Sequence, residues 1–374
     1  MRESGRWVRS GLLVVAVVVA AIGGSAARVG TLSASEAGCG SPPPAQAAGP
    51  MSFAVANQAD VFLTVYLIGS NENVYAEVPI VDPGTSRPLS TTLAAGDYWL
   101  RCVFADGVVS TSAGFTVSGR TTGAVAGYRP VPGIGLTAPA QAYTKWVNTQ
   151  LPVLLSACRR VDGDVARGDL PAAQTDWLRA HLVYERLGAA YDSFGAFDTE
   201  LDGLLQGPVT PRWTGFHAIE YALWHHAPAA TLRPMTQNLV RTVQALIADF
   251  PSEEIDPAEL PKRAHQILED SLEFQLTGAA DYGSHTALAT AYANTQGTDE
   301  VLSVLAPLIQ PRDPALLGRV HHDMTVVQTE LLAARSPSGV WQAAGNRPRL
   351  DADLGALLEQ LSIVPNLLAP RNNG

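Results

Sequence analysis

The stretch Val61-Phe62-Leu63-Thr64-Val65-Tyr66-Leu67 puts Val61, Leu63, Val65 and Leu67 on one face at a period of two. That alternation is the mark of a half-buried strand. Working outward, Phe53 and Val55 alternate with small residues, and Val74–Val81, Tyr98–Phe104 and Phe115–Val117 repeat the strand-like pattern. Pro83-Gly84, Gly96-Asp97, Asp106-Gly107 and Ser118-Gly119 punctuate them with turn signals. Short strands separated by regular turns specify a β-sandwich, here expected over residues 39–119.

Upstream, residues 28–50 are rich in Ala, Ser, Gly and Pro and read as a tether or a loose first strand, with 28–38 assigned to the tether. Downstream, the Gly- and Pro-rich segment 120–138 reads as a linker. After Pro139 the period changes to that of helices. Candidate helices are 140–167, 171–195, 212–226, 231–249, 257–276, 284–294, 297–309, 313–334 and 350–368. Asp169-Leu170-Pro171 is a start signal, with Pro in the first turn. The expected architecture is therefore α+β in two domains, the sandwich followed by a helical bundle over 139–370.

The chain has 374 residues, enough for two cores. Its formal net charge is −10 and its basic residues are scattered, which argues against nucleic-acid binding. Arg2, Arg6 and Arg9 precede the apolar run Leu12–Ile22, and Ser25-Ala26-Ala27 supplies small residues for cleavage. Residues 1–27 thus read as an export signal, with an uncleaved N-terminal membrane tether as the alternative. An exported body permits disulfides among Cys39, Cys102 and Cys158. Cys39 also admits a reading as a lipidated cysteine, although Glu36 stands where a lipobox has Leu. Cys158, among Leu154, Leu155 and Val161, reads as a small buried hydrophobe.

All eight histidines lie at or after His181. The β-half therefore lacks the two His that a type 1 copper site requires. In the helical half, His217 and Glu220 within Gly215-Phe216-His217-Ala218-Ile219-Glu220 are three apart and share a helix face. The pair suits one metal ion, and it equally suits a packed His beside a salt-bridging Glu. Upstream, His181 and Glu185 are i,i+4 neighbours, and Asp198 and Asp202 follow in an acidic run that could also be solvated surface. His225-His226 and His321-His322 read as surface pairs.

These segments carry a resemblance. The order Gly168-Asp169-Leu170, Tyr184-Glu185-Arg186, Asp198, Asp202 and Gly215 to Glu220, with Tyr282-Gly283-Ser284-His285-Thr286 beyond, resembles the imelysin family. The spacing is similar to that of EfeO-type iron-uptake proteins, whose β-domain is cupredoxin-like. Cys39, Phe53-Ala54-Val55, and Gly96-Asp97-Tyr98 leading to Cys102 match that domain as well. The resemblance implies a Cys39–Cys102 disulfide. It also implies an iron site lined by Glu185, Asp202, His217 and Glu220. As partners it implies a membrane iron permease and a haem peroxidase-like protein of the same system, met outside the cytoplasmic membrane.

Two departures stand out. The family carries a second Glu where this chain has Gly188, and a Glu-Glu-Asp run where it has Ala279-Ala280-Asp281. Fewer carboxylates should weaken binding of Fe2+ or Fe3+ or shift it towards Zn2+ or Cu2+, with His181 placed to compensate. Restoring Glu at 188 and 279 is expected to tighten iron binding. Two other functions compete: a metal-free docking or scaffold protein, and a peptidase. Against the peptidase, no His-Glu-x-x-His motif occurs, and the chain is read as a binding protein rather than an enzyme.

Overall fold

The computed structural model describes residues 27–337, 339–342 and 345–369. Residues 1–26 of the expected export signal and residue 370 of the expected bundle lie outside the described residues. The chain falls into two units, one made of residues up to 71 with 75–126, the other of 72–74 with everything from 127 onward.

The first unit is β-rich. Its strands are β1 (Ala27–Ser35), β2 (Gly38–Cys39), β3 (Ala45–Ala47), β4 (Gly49–Asn57), β5 (Leu63–Gly69), β6 (Val74–Val81), β7 (Ser86–Leu93), β8 (Gly96–Phe104), β9 (Val109–Thr111) and β10 (Phe115–Ser118). One sheet has the order β2-β1-β4-β7, and the other β3-β10-β8-β5-β6 with β9 paired to β8. The alternation does what its period requires: Leu63, Val65 and Leu67 are buried on β5, as are Met51, Phe53 and Val55 on β4. Phe53 of the first sheet meets Phe115 of the second edge to face, ring centres 5.7 Å apart. The two sheets are also joined covalently. Cys39 on β2 is bonded to Cys102 on β8, with Cα atoms 5.5 Å apart.

Two features depart from the sequence reading. The stretch assigned to a tether, 28–38, contains most of β1, which pairs in parallel with β4, Leu32 opposite Val55. Low apolar content hid it, because a strand held by backbone bonds can be built of small residues. Strand β7 was not anticipated either. Only Leu89 and Leu93 are apolar inward-facing residues there, and they bury against β4 with Leu89 opposite Phe53.

The second unit is helical: α1 (Thr137–Arg167), α2 (Leu170–Glu185), α3 (Tyr191–Phe194), α4 (Ala196–Asp202), α5 (Gly215–Trp224), α6 (Ala229–Asp249), α7 (Leu260–Asp270), α8 (Ala287–Ile309), α9 (Leu316–Ala333), α10 (Arg347–Leu361) and α11 (Ile363–Leu368). Asp169 caps α2 by accepting from the Ala172 N–H, with Pro171 in the first turn. The expected helix 171–195 stops at Glu185, and a tight turn at Gly188–Ala190 separates it from α3. Conversely, the two helices expected at 284–294 and 297–309 are one, α8. Gly297 does not break it. A Cβ at 297 would stand 2.6 Å from the Arg186 carbonyl oxygen, so the glycine is there for close packing of α8 on the end of α2.

The core of this unit includes Trp177, Tyr143, Tyr184, Phe216 and Phe250, all fully buried. Cys158 is free and buried in α1, and burial pushes its thiol up to about 12. No described helix is long and apolar enough to cross a membrane.

Candidate metal centre

Two close approaches bring the polar residues together. Gly215 opens α5 at a φ of +86°, and a Cβ there would collide with the Leu201 carbonyl at the end of α4. Only glycine allows this abutment, which sets His217 beside Asp202. The Trp177 indole N–H then donates to the Phe216 carbonyl at 2.9 Å and ties α2 to α5. The packing at Gly297 sets Asn294, nearly a turn earlier on α8, against Glu185.

The result is a buried cluster on α2, α4 and α5. His181 Nε2 lies 2.9 Å from Glu185 Oε1 and 2.9 Å from Asp202 Oδ1. His217 Nε2 lies 3.6 Å from the same Asp202 oxygen. His181, Asp202 and His217 present ligand atoms all within 4.8 Å of one another. His181, Glu185 and His217 are almost wholly excluded from solvent, and the Asp202 side chain is 14% exposed. With its amide oriented to satisfy its neighbours, Asn294 donates to Glu185 Oε2 at 2.9 Å and accepts from Ser271 Oγ.

Glu220 stands elsewhere. Its Oε2 is 3.4 Å from Nδ1 of His217, the ring nitrogen away from Asp202. Its Oε1 accepts from the Tyr282 and Ser284 backbone N–H groups, both at 3.0 Å. A carboxylate only accepts, so Nδ1 of His217 carries a proton towards Glu220, and Nε2 is the ring atom turned to Asp202 and available to a metal. This is the carboxylate–histidine pairing that orients a metal-binding imidazole. Of the four residues expected to line the site, Glu185, Asp202 and His217 converge with His181, and Glu220 backs His217 from behind. His181 lacks such backing: its buried Nδ1 has no hydrogen-bond partner among the described residues.

Charge in the cluster is unevenly shared. Burial alone would lower the His181 pKa, but Asp202 and then Glu185 outweigh it and hold the imidazole well above its ordinary value. Burial pushes the Glu185 carboxyl up, against the pull of His181. Burial acts the same way on Asp202, yet His217 and His181 hold it below the usual carboxylate range. Glu220 is also held low, the hydrogen bonds from His217 and Ser284 overcoming its burial. Nearby, burial raises Asp198 to about 6 even though Tyr184 Oη donates to it at 2.7 Å. An imidazolium thus sits between two carboxylates where a cation could sit.

Beside the cluster opens a cleft of about 160 Å³, lined by Glu185, Asp202, His217, Gly188, Ile267 and Ala280 among others. Gly188 is at its wall, where a Cβ would stand 3.0 Å from Ile267 Cγ1. Ala280 lines the cleft, whereas Ala279 is exposed. The donor set is mixed, imidazole nitrogen with carboxylate oxygen, and it fits iron, zinc or copper better than calcium or magnesium. The supporting Asn294 has no local signal in the sequence, and the Tyr282–Ser284 segment, marked there only by the resemblance, serves through backbone N–H groups that its side chains do not announce.

The family model described as Peptidase_M75: Imelysin matches residues 139–364. The chain is similar to "Iron uptake system component EfeO" of Escherichia coli (strain K12), 23% identical over 336 residues that cover 86% of each chain. The protein of the same name from Shigella flexneri matches to the same extent. That of Escherichia coli O1:K1 is 24% identical over 334 residues, 86% of this chain and 84% of the relative.

Proposed function

This chain belongs to the imelysin family, and on that premise we propose that it is the exported iron-binding component of an uptake system of the EfeUOB type. The observation that carries the reading is the convergence of His181, Glu185, Asp202 and His217 on one buried point beside an open cleft. The similarity to iron uptake system components named EfeO over 86% of the chain supports the same reading.

Iron is the cargo. Asp202 and His217 hold it, Glu185 adds a carboxylate, and Glu220 keeps the lone pair of His217 aimed inward. Trp177 and Phe216 flank the His181 ring, with ring centres 5.1 Å away in both cases, and keep bulk water out. In the metal-free state the His181 imidazolium neutralises the carboxylates, so loading exchanges a proton for the ion. The loaded protein passes iron to a membrane permease, with a haem peroxidase-like partner in the same system. It acts by binding and carries out no catalysis. The N-terminal segment serves as export signal or tether.

Calorimetric titration with Fe2+ and Fe3+, alongside Zn2+ and Cu2+, tests this. One saturable site that His217→Ala weakens supports it. A second reading has an observation of its own. The cluster closes on itself through the His181 ion pairs, as a metal-free docking protein of the same fold would require. Absence of binding by every metal would favour that reading.

A further inference from the structure

We propose that Asn294 sets the metal preference of the site. It holds Glu185 Oε2 away from the ion, so that Glu185 binds through one oxygen and the protein donors stop at four. The inference rests on the metal-binding reading above and names what chooses among the ions that the site could take.

The two oxygens of Glu185 have different partners. Oε1 lies 2.9 Å from His181 Nε2, the nitrogen that also meets Asp202 Oδ1 at 2.9 Å. Oε2 lies 2.9 Å from the Asn294 amide, and the Glu185 main-chain carbonyl oxygen lies 3.0 Å from the same amide. A metal-bound Glu185 is ionised and only accepts, so the amide turns its nitrogen to both oxygens, one N–H for each. The other end of the amide meets Ser271 Oγ at 3.0 Å. Asn294 and Ser271 are 4% and 1% exposed, so bulk water does not compete for these bonds. Asn294 thereby ties the carboxylate of Glu185 to its own backbone.

Loading replaces the His181 proton, which lies between Glu185 Oε1 and Asp202 Oδ1. The incoming ion therefore meets Oε1, while Oε2 stays with the amide. Two imidazole nitrogens and two carboxylate oxygens then face it. Four donors of this kind fill tetrahedral Zn2+. Iron has further positions to fill with oxygen and gains from a fifth donor. A released Oε2 has space to turn, because the cleft of about 160 Å³ is lined by Glu185, Gly188 and Asn294 together.

The test is a ratio. Zn2+ and Fe2+ affinities of the full chain are measured without oxygen, by competition with a chelator, beside Asn294→Ala and Ser271→Ala. Asn294→Ala should lose about 10–100-fold in Zn2+ affinity, the cost of removing a group that orients a ligand, and roughly tenfold less than that in Fe2+ affinity. Ser271→Ala leaves the amide on Glu185 and should keep the wild-type ratio. An unchanged ratio in Asn294→Ala, whether both affinities fall or neither does, would make the amide a structural support only and overturn the inference while leaving the metal site standing. The same shift in Ser271→Ala would assign the effect to packing and overturn it as well. Wild-type crystals soaked with Zn2+ give a check that needs no variant. Only Oε1 should lie at bonding distance, with Oε2 still on Asn294, and both oxygens on the ion would contradict the proposal. Neither Zn2+ nor Fe2+ bound by the wild type overturns the metal reading and this inference with it.

Discussion

Nε2 of His217 stands 3.6 Å from Oδ1 of Asp202, too far for a good hydrogen bond and well placed for both atoms to reach one ion. Behind it, Glu220 fixes the ring from the opposite nitrogen. His217→Ala should therefore abolish high-affinity iron binding. Glu220→Ala should weaken it by about 10–100-fold through loss of orientation alone. Helical content by circular dichroism should stay the same in both. Full affinity in Glu220→Ala would show that the pairing is structural only.

Protons compete with the metal. His181 holds its proton well above the ordinary imidazole value because Asp202 and Glu185 outweigh its burial. Iron affinity should rise with pH through the window above about 6.5, and calorimetry in two buffers should detect proton release. Stability of the metal-free protein has the opposite slope. A raised folded-state pKa stabilises fully below the unfolded value and loses that stabilisation as pH climbs through the folded one. The metal-free thermal midpoint should fall across the same window, and His181→Gln should flatten the fall. A midpoint that rises there would contradict the charge assignment.

Position 188 is not a free slot for a carboxylate. A Cβ there meets Ile267 at 3.0 Å, so Gly188→Glu should lose about 1–3 kcal/mol of stability by overpacking. Ala279 is exposed and points to no gain, whereas Ala280 lines the cleft. Ala280→Glu should tighten iron binding, and Ala279→Glu should leave it unchanged. Titration of the two variants side by side decides, and the reverse order would refute the geometry.

The His217–Glu220 pair was legible because two residues three apart on a helix share a face whatever surrounds them. The inward stripe of β5 was legible for the same local reason. What escaped notice depends on distant approaches. Glycine at 297 reads as a helix break in isolation, yet it is a packing contact with Arg186. Asn294 meets Glu185 only because of that contact, and no spacing rule joins positions so far apart. Strand β7 escaped because its register with β4, not its own composition, buries Leu89 and Leu93.

The disulfide and the free thiol make a paired prediction. Reduction or Cys102→Ala should destabilise the β-rich unit by about 4 kcal/mol, the loop-closure value for a separation of 63 residues. Cys158, its thiol pushed up to about 12 by burial, should resist alkylation until the helical unit unfolds. Mass mapping of the native and denatured protein separates these outcomes. Rapid native labelling of Cys158 would contradict its burial.

The most direct measurement is anomalous scattering at the iron edge from crystals of the full chain soaked with iron. One peak is predicted between His217 Nε2 and Asp202 Oδ1, with Glu185 and His181 turned towards it and Glu220 still on Nδ1 of His217. A peak bound by Glu220 in place of Asp202, or no peak in the helical unit at all, would contradict the account.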